Sequence, residues 1–288
     1  MTAIQWDQTG ERLYETGVDR GVLYKVNVSG DYDTGFGWNG LTTVTESPTG
    51  AEATPTWADN IKYLNLISLE QFGGTIEAYT YPNEWGEHDG YSEPQIGVSV
   101  GQQPRKPFGL AYRTLLGNDV DGTELGYKLH LIYGATAAPT EKAFATMNDS
   151  PEAITFSWEI TTIPVMVTGL KPTSYICIDS TRVDADALVA LELLLYGDVA
   201  IDPQLPLPDA VLALFDGTFT AVSPTVPSYD AGTDNITIPS VTGVQYRING
   251  IAVTGAVHIT ANTIVTAHLM PGYVWNPNIV DEWLIVFS

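Results

Sequence analysis

The chain has 288 residues, 44% of them hydrophobic, with 34 acidic side chains against 12 basic ones and a formal net charge of −22. A charge this one-sided excludes tight binding of nucleic-acid phosphates through a basic patch, and no apolar run approaches the roughly 18 residues that a membrane helix requires. The length suits two domains, each with its own core.

Strand-like segments, rich in β-branched and aromatic residues, lie at 21–28, 63–69, 73–81, 106–116, 127–133, 153–160 and 175–179. Asp121-Gly122, between the fourth and fifth of these, carries the signature of a type I′ hairpin turn. A helix is expected over 184–196, where Leu188, Leu191 and Leu195 with Val189 give a 3.6-residue stripe, Asp184 or Asp186 suits the N-terminal dipole and Gly197 ends it. A second, short helix is expected over 208–215, opened by Pro208 and Asp209 and stopped by Asp216-Gly217.

After Phe219 a Pro/Ser/Thr-rich stretch reads as a linker or edge strand, and a new pattern follows. Short strands at 235–239, 244–248, 251–253, 257–259, 264–269, 273–275 and 283–287, with Asn249-Gly250 as a hairpin turn, suggest a small immunoglobulin-like β-sandwich. The expected domains are therefore 1–220 and 221–288. From 173 onward only Arg182 and Arg247 oppose twelve carboxylates.

The motifs that would carry chemistry are incomplete. Gly35-Phe36-Gly37-Trp38-Asn39-Gly40 spells G-x-G-x-x-G, but a dinucleotide site needs a helix directly afterwards, and Leu41–Glu46 is β-like, so a flexible glycine-rich loop is expected. Glu84, Glu87, His88 and Asp89 are acids of the kind used in glycoside hydrolysis or metal ligation, yet Gly86 and Gly90 suggest an exposed acidic turn. Asn118, Asp119 and Asp121 hold only part of a calcium-loop pattern and read as a hairpin tip. His130, His258 and His268 are dispersed, and no triad can be assembled from them. Cys177, the single cysteine, lies in a strand and is expected to be a buried, inert thiol. Asn27-Val28-Ser29 and Asn235-Ile236-Thr237 match the glycosylation acceptor, but the opening residues lack a secretory pattern, so both matches are set aside and cytoplasmic synthesis is expected.

The longest informative block runs from Trp38 to Tyr63 and continues through 72–82, 101–109, 128–138, 148–159, 178–181 and 205–209. In this order and over roughly residues 5–217 it resembles the major tail proteins of long, flexible-tailed bacteriophages. The resemblance implies a mainly β tail-tube sandwich or barrel with a flanking α-helix and long loops. It also implies a structural, non-enzymatic role without cofactor or metal, as hexameric rings stacked into a virion tail tube that double-stranded DNA traverses during ejection. The implied partners are further copies of the chain, a tape-measure protein, tail assembly chaperones, and tail terminator and distal tail proteins; no membrane is involved.

Residues from about 222 onward depart from the minimal pattern and read as an appended decoration module. Its Tyr229, Tyr246, Tyr273, Trp275 and Trp283 serve either as stacking faces for carbohydrate or as core. Within the resembling region, 46–61 suits an arm that orders against a neighbour rather than folding on itself, because it holds Pro48, Gly50 and Pro55 and few large apolar groups before Trp57. Glu46, Pro48, Glu52, Pro55, Trp57, Asp59, Asn60 and Lys62 are its candidate contact residues. The competing reading is a carbohydrate-binding or carbohydrate-active β-rich protein.

Overall fold

The computed structural model describes residues 4–147, 149, 153–199, 201–216, 220–270, 272–276 and 279–287; Gly217, expected to stop the second helix, and positions 148 and 150–152 of the resembling block lie outside them. The described chain is mainly β with two α-helices. Among the described residues no helix is long and apolar enough to cross a membrane. Two compact units are present, Met1–Thr181 and Arg182–Ser288. The division thus falls before the helices rather than at 220–221, and both helices group with the C-terminal strands.

In chain order the first unit contains β1 (Tyr14–Lys25), β2 (Thr34–Trp38), β3 (Leu41–Glu46), β4 (Ala53–Ala58), β5 (Ile61–Ile67), β6 (Gly73–Ala78), β7 (Ser92–Gln95), β8 (Val98–Val100), β9 (Phe108–Asn118), β10 (Gly122–Ala137), β11 (Phe156–Thr162) and β12 (Tyr175–Asp179). Its main sheet runs β2-β1-β9-β10-β11-β6-β3, with β12 also paired to β10. The strands at the two ends of that order, β2 and β3, are neighbours in sequence, joined by Asn39-Gly40 alone. So short a link brings the sheet's ends together, and the sheet rolls up. Gly21 of β1 then lies so near β3 that a Cβ on it would run into the Leu41 side chain.

Alternation fills the interior. Phe108, Leu110 and Tyr112 on β9, Trp158 and Ile160 on β11, and Ile76 and Ala78 on β6 recur at every second position and pack with Leu23, Trp38 and Trp85. The indoles form the centre: Trp85 lies 4.6 Å from Trp38 and 5.2 Å from Trp158, ring to ring. Trp38 also donates its indole N–H to the Thr80 carbonyl at 2.9 Å.

Three local expectations change. Gly35 and Gly37 lie in β2 rather than in a flexible loop, because the stretch is paired to β1. At the β9–β10 hairpin only Gly122 has positive φ, at 60°. The turn is therefore not type I′: residues 119–121 connect the strands and Gly122, the first residue of β10, takes the left-handed position, while the Asn118 side chain holds the turn by accepting from the Val120 and Asp121 amides. Cys177 is exposed rather than buried, since β12 turns Ile178 inward and Cys177 to the opposite face. Partial desolvation nevertheless pushes its thiol pKa up and keeps it protonated.

In the second unit, α1 (Ala185–Tyr196) is capped by the Asp184 side chain, which accepts from the Ala187 amide at 3.0 Å. Its buried stripe is Ala187, Leu188, Leu191 and Leu195, while Val189 is exposed. Gly197 closes the helix at φ 67°, where a Cβ would also strike the Ile201 carbonyl. The second helix, α2 (Pro208–Phe215), opens on proline as its sequence demands.

Then come β13 (Thr220–Val222), β14 (Ser228–Asp230), β15 (Asn235–Ile238), β16 (Val244–Ile248), β17 (Ile251–Val253), β18 (Gly255–His258), β19 (Thr263–Leu269), β20 (Tyr273–Trp275) and β21 (Glu282–Ile285). Sheets β14-β15-β18 and β17-β16-β19-β21 share a core of Ile236, Ile238, Tyr246, Val265 and Ala267. Tyr229, Trp275 and Trp283 pack against that core, so their rings are engaged in folding. The 223–227 stretch is tied down, because the Tyr246 hydroxyl accepts from the Thr225 amide and donates to the Thr225 carbonyl, both at 2.7 Å. Asn249-Gly250 is type I′, at φ 52° and 80°.

Truncating Trp158, fully buried at the centre of the first unit, is expected to cost about 3–5 kcal/mol and to lower the melting temperature by roughly 10 °C. Trp57→Ala, at a residue 65% exposed, is expected to leave the monomer's melting temperature within about 2 °C. Thermal unfolding of both variants checks the contrast.

Candidate assembly interface

Residues 41–78 form one long antiparallel hairpin. Thr43↔Glu77 and Thr45↔Thr75 pair inside the main sheet, Thr49↔Gln71 bridges beyond it, and Ala53↔Ile67 through Thr56↔Leu64 continue in the same register. About a third of the hairpin, β3 and β6, belongs to the rolled sheet, and the part from Ser47 to Gln71 stands outside it. At about 3.3 Å per residue this arm reaches roughly 35–40 Å. The segment does fold on itself, contrary to the sequence expectation. Asp59 (φ 49°) and Asn60 (φ 63°) both adopt the left-handed conformation of a type I′ turn, and these two residue types tolerate it well. Pro55 is accommodated because β4 is an edge strand.

Its surface is the unusual feature. Trp57, Ile61, Tyr63, Leu66 and Ile67 are each more than 60% exposed, and Leu64 is 40% exposed. Followed through the register shift at Thr56/Trp57, which leaves Tyr63 without a partner, the pairing sets Ile61, Leu64 and Leu66 on one face and Trp57, Lys62 and Ile67 on the other. A strand that is apolar on both faces reads as a strand covered on both faces, yet every residue of β5 is exposed in the single chain. A two-stranded ribbon is marginal by itself, and both edges of this one are open. A second, shorter ribbon, β7–β8, exposes Ile96, Val98 and Val100 in the same way.

The arm's root is rigidly held. Gly74 lets the strands close up, since a Cβ there would meet the Thr45 carbonyl. Phe72 stacks on Tyr175 with centroids 4.9 Å apart, and the Thr162 hydroxyl donates to the Phe72 carbonyl at 2.7 Å. Glu46 belongs to this root rather than to the projecting part. It accepts from the Tyr112 hydroxyl at 2.6 Å and lies 3.2 Å from His130 Nδ1.

His130, almost fully buried, stacks flat on Tyr112 and reaches Tyr175 Oη at 2.7 Å and Thr114 Oγ1 at 2.8 Å. Thr114 and Lys128 both donate to Glu15, Lys128 at 2.6 Å. Along one face of β10 the side chains therefore pass from Ile132 in the core, to His130 in a polar layer, to Lys128 in an ion pair. Their β9 partners change in step, from Leu110 to Tyr112 to Thr114. Burial pushes the Glu46 pKa up, but hydrogen bonds from His130 and Tyr112 outweigh it and hold the carboxyl below its ordinary value. Burial, seconded by the Glu46 carboxylate, pushes the Tyr112 hydroxyl up, so it remains a donor.

The other candidates fall as follows. Pro48, Glu52, Pro55, Trp57, Asp59, Asn60 and Lys62 are all exposed on the arm; β5 beyond Lys62, which carries most of the apolar surface, was legible as a strand but not as part of the arm. The cluster at Glu84–Asp89 is not an exposed acidic turn, because the chain coils into a 3-10 turn at Asn83–Glu87 that buries Trp85, His88 and Asp89. Glu87 bridges Lys25 and Lys106, and Asp89 bridges Arg105 and Lys142. The open cleft of about 550 Å³ beside it is lined by Lys25, Glu87 and Lys106, so that carboxylate is already neutralised and is not available as a free acid or base. Neither the family models nor the curated proteins compared with this sequence contain a match.

The root predicts a pH dependence. Between the folded and the unfolded pKa of Glu46 the unfolded chain binds more protons, so the stabilisation is complete above about pH 4.3 and is lost as pH falls through the lower folded value. The melting-temperature gap between the wild type and Glu46→Gln is expected to stay constant from pH 7 to about 5 and to close below about 4. Scanning fluorimetry across that range checks it; a gap unchanged in acid would rule out the charged root.

Proposed function

We propose that this chain is a self-assembling structural subunit, and that the hairpin arm is the element by which one copy engages another. More particularly, we propose a tail-tube protein of a long, flexible-tailed phage, whose rings stack around a lumen that double-stranded DNA traverses. The observation that carries the reading is the arm: a ribbon apolar on both faces, open on both edges and anchored at its root. Covering a large apolar side chain stabilises by roughly 1.5–3 kcal/mol. A handful of them on one arm therefore offsets the ordering cost of docking it on a neighbour.

Two further features support the reading. The longest block of the resemblance, Trp38 to Tyr63, includes the first strand and the turn of the arm. The charge also suits a conduit. Eight of the twelve lysines and arginines lie within 4.0 Å of a carboxylate of the same chain, which leaves a strongly anionic surface that repels DNA phosphates rather than gripping them. Tape-measure, chaperone, terminator and distal tail proteins are the partners this role requires.

The test is negative-stain electron microscopy of the purified protein over a concentration series. Its comparison is a variant in which residues 50–70 are replaced by Asn-Gly, which closes the hairpin directly beyond Thr49↔Gln71. Tubes of uniform width from the wild type and none from a normally folded variant are expected. A wild type that remains monomeric at every concentration, with or without tape-measure protein, would overturn the proposal.

A further inference from the structure

We infer that Lys62 is the specificity-determining contact of the arm, and that it pairs with a carboxylate on a second copy of this chain. This rests on the arm's role in assembly and adds to it a definite electrostatic partner.

The inference comes from accounting for every cation. Lys25 and Lys106 are held by Glu87, Arg105 and Lys142 by Asp89, Arg113 by Asp19, Lys128 by Glu15, Arg247 by Asp198 and Arg12 by Asp119; Arg20 is also engaged. Only the side chains of Lys62, Lys171 and Arg182 have neither hydrogen-bond nor ion-pair partner among the described residues. Lys62 alone of these stands on the arm, directly across the ribbon from exposed Trp57 and on the same face as exposed Ile67.

A cation in the middle of an apolar docking surface is costly to bury unless the receptor supplies an anion. With 34 carboxylates in the chain and most of its cations neutralised internally, a second copy is rich in such anions. A neutral or basic partner would leave Lys62 unpaired, so the residue favours an acidic partner, and a second copy of this chain is one. Trp57 supplies the apolar contact beside it and Lys62 the discrimination.

The experiment is sedimentation of assembling protein at about 0.05 M and about 1 M salt, where the screening lengths are roughly 14 Å and 3 Å. It compares wild type, Lys62→Arg, Lys62→Ala and Lys62→Glu with Lys171→Glu and Arg182→Glu, which change net charge by the same amount at residues that are not part of the arm. At low salt Lys62→Glu is expected to raise the concentration needed for assembly by at least about tenfold and Lys62→Ala by less. Lys62→Arg, Lys171→Glu and Arg182→Glu are expected to behave like the wild type. High salt should bring the wild type to the level of Lys62→Ala.

Carbodiimide coupling of particles built from equal parts of isotopically light and heavy chains should give a mixed peptide joining Lys62 to an aspartate or glutamate of the other copy. If the wild type assembles but Lys62→Glu matches it and no mixed Lys62 peptide forms, the inference is overturned while the assembly role stands. If the wild type never assembles, both fall.

Discussion

Asn39-Gly40 is the constraint from which most of the first unit follows. Two residues span only a few ångströms, yet they join strands at opposite ends of the main sheet. An open, flat sheet is incompatible with that link, so the sheet rolls until its ends meet, and Gly21 gives way to Leu41 where they do. Rolling creates an interior that Trp38, Trp85 and Trp158 fill. It also fixes the start of the hairpin that begins at Leu41, whose first part is committed to the sheet and whose second part pairs only with itself.

Along the inner face the change of chemistry from Ile132 to His130 to Lys128 marks where the core ends and the arm begins. Glu46 is the last residue of β3 and also a member of the polar layer, so the point at which the arm leaves the sheet is fixed by side chains from β9 and β10 as well as by its own pairing. An arm hinged on backbone pairing alone would swing freely and bear the entropic cost of fixing its direction at docking. The side-chain contacts of the root restrict that swing in the folded chain.

The periodicity-based parts of the fold were legible. The short strands at 244–248, 251–253 and 273–275, the helix over 208–215 and the acidic start of the first helix at Asp184 or Asp186 follow from alternation, proline placement and dipole chemistry that act within a few residues. What escaped was non-local. Nothing within Glu84–Asp89 shows that Arg105 and Lys142, distant in sequence, neutralise Asp89 and let it sink into the interior. Cys177 was misplaced because a continuous apolar run leaves the inward parity of an edge strand undetermined. The arm's location was readable from Pro48, Gly50 and Pro55, but its hairpin was not, because Asp59-Asn60 lacks the glycine that usually marks such a turn.

An exposed ribbon with two open edges is ordinarily a hazard, since any other strand can add to it. This chain counters the hazard in two ways. Pro55 removes a backbone donor from the β4 edge, and the register shift that leaves Tyr63 unpaired bulges β5, so neither edge offers a continuous ladder. The net charge of −22 makes random encounters between copies repulsive at long range. Apolar contact alone does not distinguish a correct neighbour from a misaligned one, whereas like charges brought together at a wrong position add a cost that falls on that arrangement only. Under the proposed assembly, the same acidity that keeps separate chains apart would sharpen the choice of the one docking position where the arm's apolar faces and its cation are satisfied together.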